Sequence, residues 1–346
     1  MQRCLQLAHY GEGRVAPNPM VGAVLVHKDK IIGEGFHKKW GEAHAEVVCL
    51  QSVKAEQQHL IHESTLYVSL EPCSHYGKTP PCADLIIQHR IPRVVVGCAD
   101  PYGEVSGRGI NKLKRAGIEV MVGVLERECR ALNKRFVLFQ EGRRPYIILK
   151  WAQSADGKIA GENFKRMAIS NEYTARLVHR WRSQNMGILV GTNTALADDP
   201  ELTTRFWPGN NPVRLVLDKT LCLPLSLKLF DGQHKTIVFN NTTNKTHSNV
   251  EYDQLNFDGP IVPQIVEALY NLNIQSVMVE GGAQMLQSFI DAEMWDEAYV
   301  ITNQHLSIGK GIPAPHLKEH RLLNTQPIFS DTIHSYAHQS NALLVE

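Results

Sequence analysis

Apolar and polar positions along this chain form short runs that switch repeatedly between a period of two and a period near four. Met20–His27 and Ile31–Phe36 read as strands joined by the turn His27-Lys28-Asp29-Lys30. Val47, Val48 and Leu50 give His44–Ser52 the apolar spacing of a helix. Ser64–Leu70 reads as a strand, Pro81–His89 as a helix opening with proline, and Arg93–Cys98 as a strand. Gly107–Ala116 is helical, Ile118–Val122 a short strand, and Glu126–Phe139 a closing helix. This alternation predicts a three-layer α/β domain.

The polar run Gln140-Glu141-Gly142-Arg143-Arg144-Pro145 carries glycine and proline and reads as a linker. The pattern then restarts. Tyr146–Trp151, Met186–Val190, Val213–Leu217, Thr236–Phe239, Ser276–Val279 and Glu297–Ile301 are expected strands. Glu172–Gln184, Ile261–Leu272 and Gln284–Ala292 are expected helices, and the asparagine-rich segment Asn240–Asn256 an exposed loop. The expected organisation is a first domain over 1–140, a linker over 141–145 and a second α/β domain over 146–346.

Length agrees with two domains, since 346 residues exceed one ordinary core. Lys and Arg number 36 against 35 Asp and Glu, a net charge of +1, which argues against a broad nucleic-acid-binding face. A local phosphate pocket stays open. No apolar run reaches the roughly 18–20 residues of a membrane helix, and Met1-Gln2-Arg3-Cys4-Leu5 lacks a signal-peptide pattern. Seven cysteines, an odd count spread along the chain, point to a reducing, cytoplasmic compartment. Cys4, Cys49, Cys98, Cys129 and Cys222 read as small apolar fillers.

The remaining two cysteines carry chemistry. His44, Cys73 and Cys82 offer one imidazole and two thiolates, three zinc ligands with a fourth tetrahedral position left for water. Glu46, two residues beyond His44, is placed to move protons for that water. A His-x-Glu followed by Pro-Cys and a later Cys is the layout of zinc nucleobase deaminases. Here eight residues separate the cysteines instead of two. His75 is the rival fourth ligand that would close the site into a structural one. In the second half, Ser276–Val279 runs into Glu280-Gly281-Gly282-Ala283 and a helix, where glycines let backbone N–H groups approach a phosphate. A tight strand-to-helix turn would need the same residues.

His44-Ala45-Glu46, Ala16-Pro17-Asn18-Pro19-Met20-Val21-Gly22 and Glu71-Pro72-Cys73-Ser74-His75-Tyr76-Gly77-Lys78-Thr79-Pro80-Pro81-Cys82 resemble the bifunctional deaminase/reductase family of riboflavin biosynthesis. Leu149–Lys158 and Gly191–Arg205 resemble its reductase domain, so the likeness covers nearly the whole chain. It implies a cytidine-deaminase-like α/β/α domain followed by a dihydrofolate-reductase-like domain. It further implies that 2,5-diamino-6-ribosylamino-4(3H)-pyrimidinone 5′-phosphate loses its 2-amino group to water, and that its ribosyl is then reduced to ribityl with NADPH.

The resemblance carries residue roles. His44, Cys73 and Cys82 would hold zinc and Glu46 would be catalytic. Asn18, Lys78 and Asp100 would bind substrate in the first domain, and Arg182, Leu202, Arg205 and Glu280 in the second. Ala152, Thr194, Asp198 and the turn Gly281, Gly282, Ala283, Gln284, Met285, Leu286, Gln287 would hold NADPH. For Asn18 a turn between prolines is the plainer reading, and for Lys78 a solvated surface cation. Arg182 and Arg205 suit a phosphate, because guanidinium forks bind it bidentately. Two runs depart from the family. Asp100-Pro101-Tyr102-Gly103 replaces Asp-Pro-Asn-Pro, and Ala168 stands where the family often carries a tryptophan against the nicotinamide.

Two other functions fit parts of the pattern: a deaminase of bases within nucleic acid with a C-terminal binding module, and a zinc protein with a degenerate reductase half. The expected partner is a small phosphorylated pyrimidine, with no nucleic acid and no membrane. A homo-oligomer stays open.

Overall fold

The computed structural model describes residues 1–74, 80–103, 106–162 and 167–341. The chain forms two compact units, Met1–Arg143 and Arg144–Glu346.

In the first unit the elements are α1 (Gln2–Ala8), β1 (Gly22–His27), β2 (Lys30–Phe36), α2 (Ala45–Gln51), β3 (Thr65–Leu70), α3 (Cys82–Gln88), β4 (Arg93–Cys98), α4 (Arg108–Arg115), β5 (Glu119–Val122), α5 (Glu126–Leu132) and α6 (Lys134–Gly142). The sheet order is β2-β1-β3-β4-β5. β1 runs antiparallel to β2 and β3, while β3, β4 and β5 are parallel. Successive side chains of a strand face opposite sides, and β1 shows both. Ala23 and Leu25 pack with Cys49 and Leu50 of α2, Ile86 of α3 and Leu113 of α4. Val24 packs instead with Cys4 and Leu7 of α1. Helices therefore cover both faces. Gly35 brings β2 hard against α2, since a Cβ there would collide with the backbone of Cys49 and Ala45. That contact sets the height of the turn before α2.

The expected closing helix is two helices. The break falls at Asn133, whose φ of −101° and ψ of 25° leave the helical region. Its buried amide spans the backbone of Met20, accepting from Met20 N at 2.8 Å and donating to Met20 O at 2.9 Å. The asparagine thus spends its hydrogen bonds on the loop before β1. α6 continues to Gly142 and ends where Arg143 takes a left-handed φ of 52°.

In the second unit the elements are β6 (Tyr146–Ser154), β7 (Lys158–Gly161), α7 (Glu172–Ser183), β8 (Gly187–Gly191), α8 (Thr192–Asp198), β9 (Val213–Leu217), β10 (Thr236–Asn240), β11 (Lys245–His247), β12 (Val250–Gln254), α9 (Ile261–Asn271), β13 (Ser276–Val279), α10 (Ala283–Asp291), β14 (Glu297–Asn303), β15 (Gly311–Pro313), β16 (His320–Ile328) and β17 (Asp331–His338). Ten strands form one sheet, ordered β11-β12-β10-β9-β8-β13-β6-β14-β17-β16. From β12 to β14 it is parallel, with antiparallel strands at both ends. Ile147, Leu149, Val277 and Val279 face α9 and α10 in the main core, and Ile301 and Ile333 face Val178 of α7.

The expected loop Asn240–Asn256 is corrected here. It contains β11 and β12, and β12 pairs in parallel with β10 in the register Thr236↔Val250. The cause is Asn240, fully buried, whose side chain accepts from Thr242 N and Thr243 N at 2.8 Å and donates to Thr243 O and Asp253 O. It closes the turn that folds the polar segment back onto the sheet. Among the described residues no helix is long and apolar enough to cross a membrane.

Candidate active sites

In the first unit the site assembles from three segments. His44 is the N-cap of α2, in extended backbone with φ −70° and ψ 163°. Cys73 lies in the loop after β3, and Cys82 is the first residue of α3. His44 Nδ1 is 3.6 Å from Cys73 Sγ and 3.4 Å from Cys82 Sγ, and the three ligand atoms all lie within 4.8 Å of one another. Zinc bound tetrahedrally at ordinary bond lengths would separate a nitrogen and a sulfur ligand by about 3.6 Å. The donor set and its spacing therefore fit that metal.

The electrostatics agree. Cys82, through its thiol and its backbone N–H at 3.3 Å, and His44 stabilise Cys73 as a thiolate and pull its pKa down to about 4 against the opposing effect of burial. The first turn of α3 supplies that N–H, as helix starts do for thiolates. Cys73 in turn raises the pKa of His44. Glu46 is buried at 3% exposure, and burial, with Cys73 beside it, pushes its pKa up to about 6.

Around this centre, Asn18 donates from Nδ2 to His37 Nε2 at 3.2 Å. Asp100 is buried and accepts the N–H of Tyr102 on Oδ1 at 2.9 Å, which closes its own turn. Glu71, next to the metal loop, holds the backbone of Asp100, Gly107, Gly109 and Ile110. Lys78 and the rival ligand His75 lie outside the described residues.

In the second unit Arg182 and Glu280 come together. Arg182 Nε and Nη2 each lie 2.8 Å from a different oxygen of Glu280, so the guanidinium fork is filled by an internal carboxylate. Arg182 Nη1 also donates to Thr203 O at 3.1 Å. Lys150 of β6 lies 3.5 Å from Glu280 Oε2. Burial alone would push Glu280 up, but Arg182 and Lys150 hold its carboxyl down at about 2. Burial pushes the Lys150 ammonium below the ordinary lysine range; Glu280 opposes this and Arg182 adds to it. Arg205 pairs with Glu201 and donates to Thr203 Oγ1 at 3.0 Å. Leu202, between them, is buried with a left-handed φ of 55°.

Thr194, Asp198 and the glycine turn follow the carboxyl ends of two central strands of the sheet. β8 and β13 are adjacent parallel strands, so α8, with Thr194 and Asp198, and α10 start side by side. A Cβ on Gly281 would lie 2.9 Å from Val190 Cα, and Gly282 has a φ of +46° with only Thr194 Oγ1 near, at 3.3 Å. Gly281 is required by close packing against β8, and Gly282, open at the helix start, leaves room for a phosphate. Met285 and Leu286 turn their side chains into the core, and Gln287 accepts from His316 N at 2.9 Å. Ala152, on β6, pairs with Ile301 of β14. Ala168 is exposed.

Sequence reasoning passed over Lys150, His37 and Glu71. Lys150 had a visible signal, a cation between Leu149 and Trp151 in an otherwise apolar strand. His37 and Glu71 had none, since their roles depend on backbone groups distant in sequence.

Known proteins resemble both halves of the chain. Residues 1–98 match the cytidine and deoxycytidylate deaminase zinc-binding region, and residues 145–311 match the RibD C-terminal domain. The riboflavin biosynthesis protein RibD of Aquifex aeolicus is 41% identical over 319 residues, covering 89% of this chain and 88% of the relative. That of Bacillus amyloliquefaciens is 40% identical, covering 86% and 82%. A solved structure from Thermotoga maritima, described as a diaminohydroxyphosphoribosylaminopyrimidine deaminase/5-amino-6-(5-phosphoribosylamino)uracil reductase, superposes with a TM-score of 0.88 at 36% identity, covering 98% of this chain and 97% of that one.

Proposed function

The chain belongs to the riboflavin biosynthesis protein RibD family, bifunctional enzymes with a deaminase and a reductase domain, and from that premise we propose how its residues divide the two reactions. The first unit hydrolyses the 2-amino group of 2,5-diamino-6-ribosylamino-4(3H)-pyrimidinone 5′-phosphate. The second reduces the ribosyl of the product to ribityl with NADPH. The observation that carries this reading is the convergence of His44, Cys73 and Cys82 with the buried carboxyl of Glu46 beside them.

His44, Cys73 and Cys82 would hold zinc, which would supply the Lewis acid that makes water a nucleophile at neutral pH. Glu46 carries the first proton of the attacking water to the ring nitrogen and the second, from the hydroxyl now on the tetrahedral carbon, to the departing amine, which leaves as ammonia. Burial raises the Glu46 carboxyl above the ordinary range, toward a group that can both accept and release a proton. Asn18, Lys78 and Asp100 bind the substrate.

In the second unit bound NADPH would supply the hydride that C1′ of the sugar gains. The C1′–O4′ bond breaks, and O4′ must gain a proton. Lys150 is the proton donor: burial makes its ammonium a stronger acid than free lysine. Glu280 and Arg182 fix the position of that ammonium, and Arg205 and Leu202 contact the substrate. The segment Gly281–Gln287, with Ala152, Thr194 and Asp198, holds the cofactor, the backbone N–H groups at the start of α10, from Gly282 to Met285, facing the pyrophosphate. The substrate is a small molecule, the compartment is the cytoplasm, and the balanced net charge of +1 supports a protein that binds neither nucleic acid nor membrane.

Incubation with the diaminopyrimidinone phosphate tests this. Ammonia is expected without NADPH, and NADPH oxidation with formation of the ribityl product when it is added. Absence of ammonia from zinc-loaded protein contradicts the first assignment; ammonia without later NADPH oxidation contradicts the second.

A further inference from the structure

His37 follows the last residue of β2 and is buried at 3% exposure. Its backbone N–H donates to Val21 O at 3.0 Å, which anchors the residue to the start of β1. The ring meets His44 edge-on, with centroids 5.5 Å apart. Its two nitrogens have different partners. Nδ1 lies 3.0 Å from the carbonyl oxygen of Ala43, the residue before His44. A carbonyl only accepts, so Nδ1 carries the hydrogen, and in a neutral imidazole Nε2 is then an acceptor. Nε2 faces Asn18 at 3.2 Å. Only the NH₂ end of the Asn18 amide can satisfy it.

The chain around Asn18 is held as well. Asn18 N donates to Val15 O at 2.9 Å, and the Met20 backbone is clasped by Asn133. Among the described residues the Asn18 side chain makes no other hydrogen bond, so Oδ1 and one N–H remain for a ligand.

Resting on the reading of Asn18 as a substrate contact, we infer that His37 is a positioning residue that fixes the Asn18 amide, so that its carbonyl Oδ1 is presented to the heterocycle. Oδ1 accepts from an N–H donor of an amino-pyrimidinone edge. Deamination replaces the exocyclic amine donor by a carbonyl acceptor, and an acceptor facing an acceptor is repelled. The fixed amide therefore favours substrate over product. An amide free to flip would satisfy either, because its two ends have nearly the same shape and opposite hydrogen-bonding character.

The test is a double-mutant cycle on the full-length zinc-loaded enzyme. His37→Asn keeps a donor near the Nδ1 position and loses the acceptor; His37→Gln restores an acceptor near the Nε2 position. Asn18→Ala removes the amide. His37→Asn is expected to raise KM and to lower the ratio of product Ki to substrate KM by about tenfold, the loss of roughly one polar contact. His37→Gln recovers most of that ratio. In the Asn18→Ala background, His37→Asn adds nothing, because residues acting through one another are not additive. If Asn18→Ala leaves KM unchanged, the reading of Asn18 fails and the inference falls with it. If Asn18→Ala raises KM but His37→Asn leaves the ratio intact, or the two effects add, Asn18 stands and His37 is not its positioner. Zinc content is measured alongside, and loss of zinc from both His37 variants assigns the histidine to the metal loop and overturns the inference.

Discussion

The carboxylate of Glu71 accepts the backbone N–H of Asp100 at 3.2 Å. The same side chain accepts Gly107 N, Gly109 N and Ile110 N at 3.0, 2.9 and 3.1 Å. Glu71 thereby caps the start of α4 from the end of β3, two residues before Cys73. Sequence-distant segments that carry Cys73 and Asp100 are tied at one buried carboxylate.

Removing that carboxylate strands buried N–H donors, each costing about 1–3 kcal/mol. Glu71→Ala is expected to cost at least about 3 kcal/mol and to lower the melting temperature of the deaminase unit by roughly 10 °C. Calorimetry of the full chain checks this. An unchanged transition would mean that water replaces the carboxylate without loss.

Glu280 gives a pH-dependent prediction. Its carboxyl is held at about 2, against an ordinary 4.5. A lowered carboxyl contributes stability that is complete above about 4.5 and is lost as pH falls through about 2. Glu280→Gln leaves Arg182 and Lys150 buried without their anion, a loss of about 3–5 kcal/mol at pH 7. The gap between wild type and variant is expected to narrow as pH falls below 4.5. Hydrogen exchange of the β13 amides reads it within this unit, and a gap independent of pH between 7 and 2 contradicts the ionised state assigned to Glu280.

The glycine turn before α10 is expected to tolerate no side chain. Gly282→Val adds a branched side chain at a φ of +46°, and Gly281→Ala drives a methyl to 2.9 Å from Val190 Cα. Both variants are expected to lose NADPH binding and to keep ammonia release. Near-normal affinity in Gly282→Val, by calorimetric titration, would remove the turn from the cofactor site.

Ala168 leaves out an aromatic face worth about 1 kcal/mol beyond its buried area. Ala168→Trp is expected to tighten NADPH binding by about fivefold. Unchanged or weaker binding would mean that another residue fills that space.

Much of this was legible in the residue pattern. Strands Arg93–Cys98, Val213–Leu217 and Ser276–Val279 have the bounds the residue pattern indicates, because nearly every residue in them is buried, on whichever face it lies. The cluster of His44, Cys73 and Cys82 was legible because metal chemistry restricts residue type. What escaped depended on single polar side chains serving distant backbone. Asn133 breaks a helix to hold Met20, and Asn240 turns an asparagine-rich segment back into the sheet. No local pattern encodes such partners. Lys150 escaped for another reason: within a strand it reads as one polar interruption, and only the fold brings Glu280 and Arg182 to it.

The central claim is that one chain carries two chemistries on separate residues. Two variants, each assayed with both substrates, test it most directly. Glu46→Gln, zinc-loaded, is expected to lose ammonia release by at least about 10²-fold while oxidising NADPH normally when given the deaminated aminouracil phosphate. Lys150→Met, which leaves the Arg182–Glu280 pair in place, is expected to release ammonia normally and to lose NADPH oxidation. Loss of both activities in either variant, or of neither, would contradict the account.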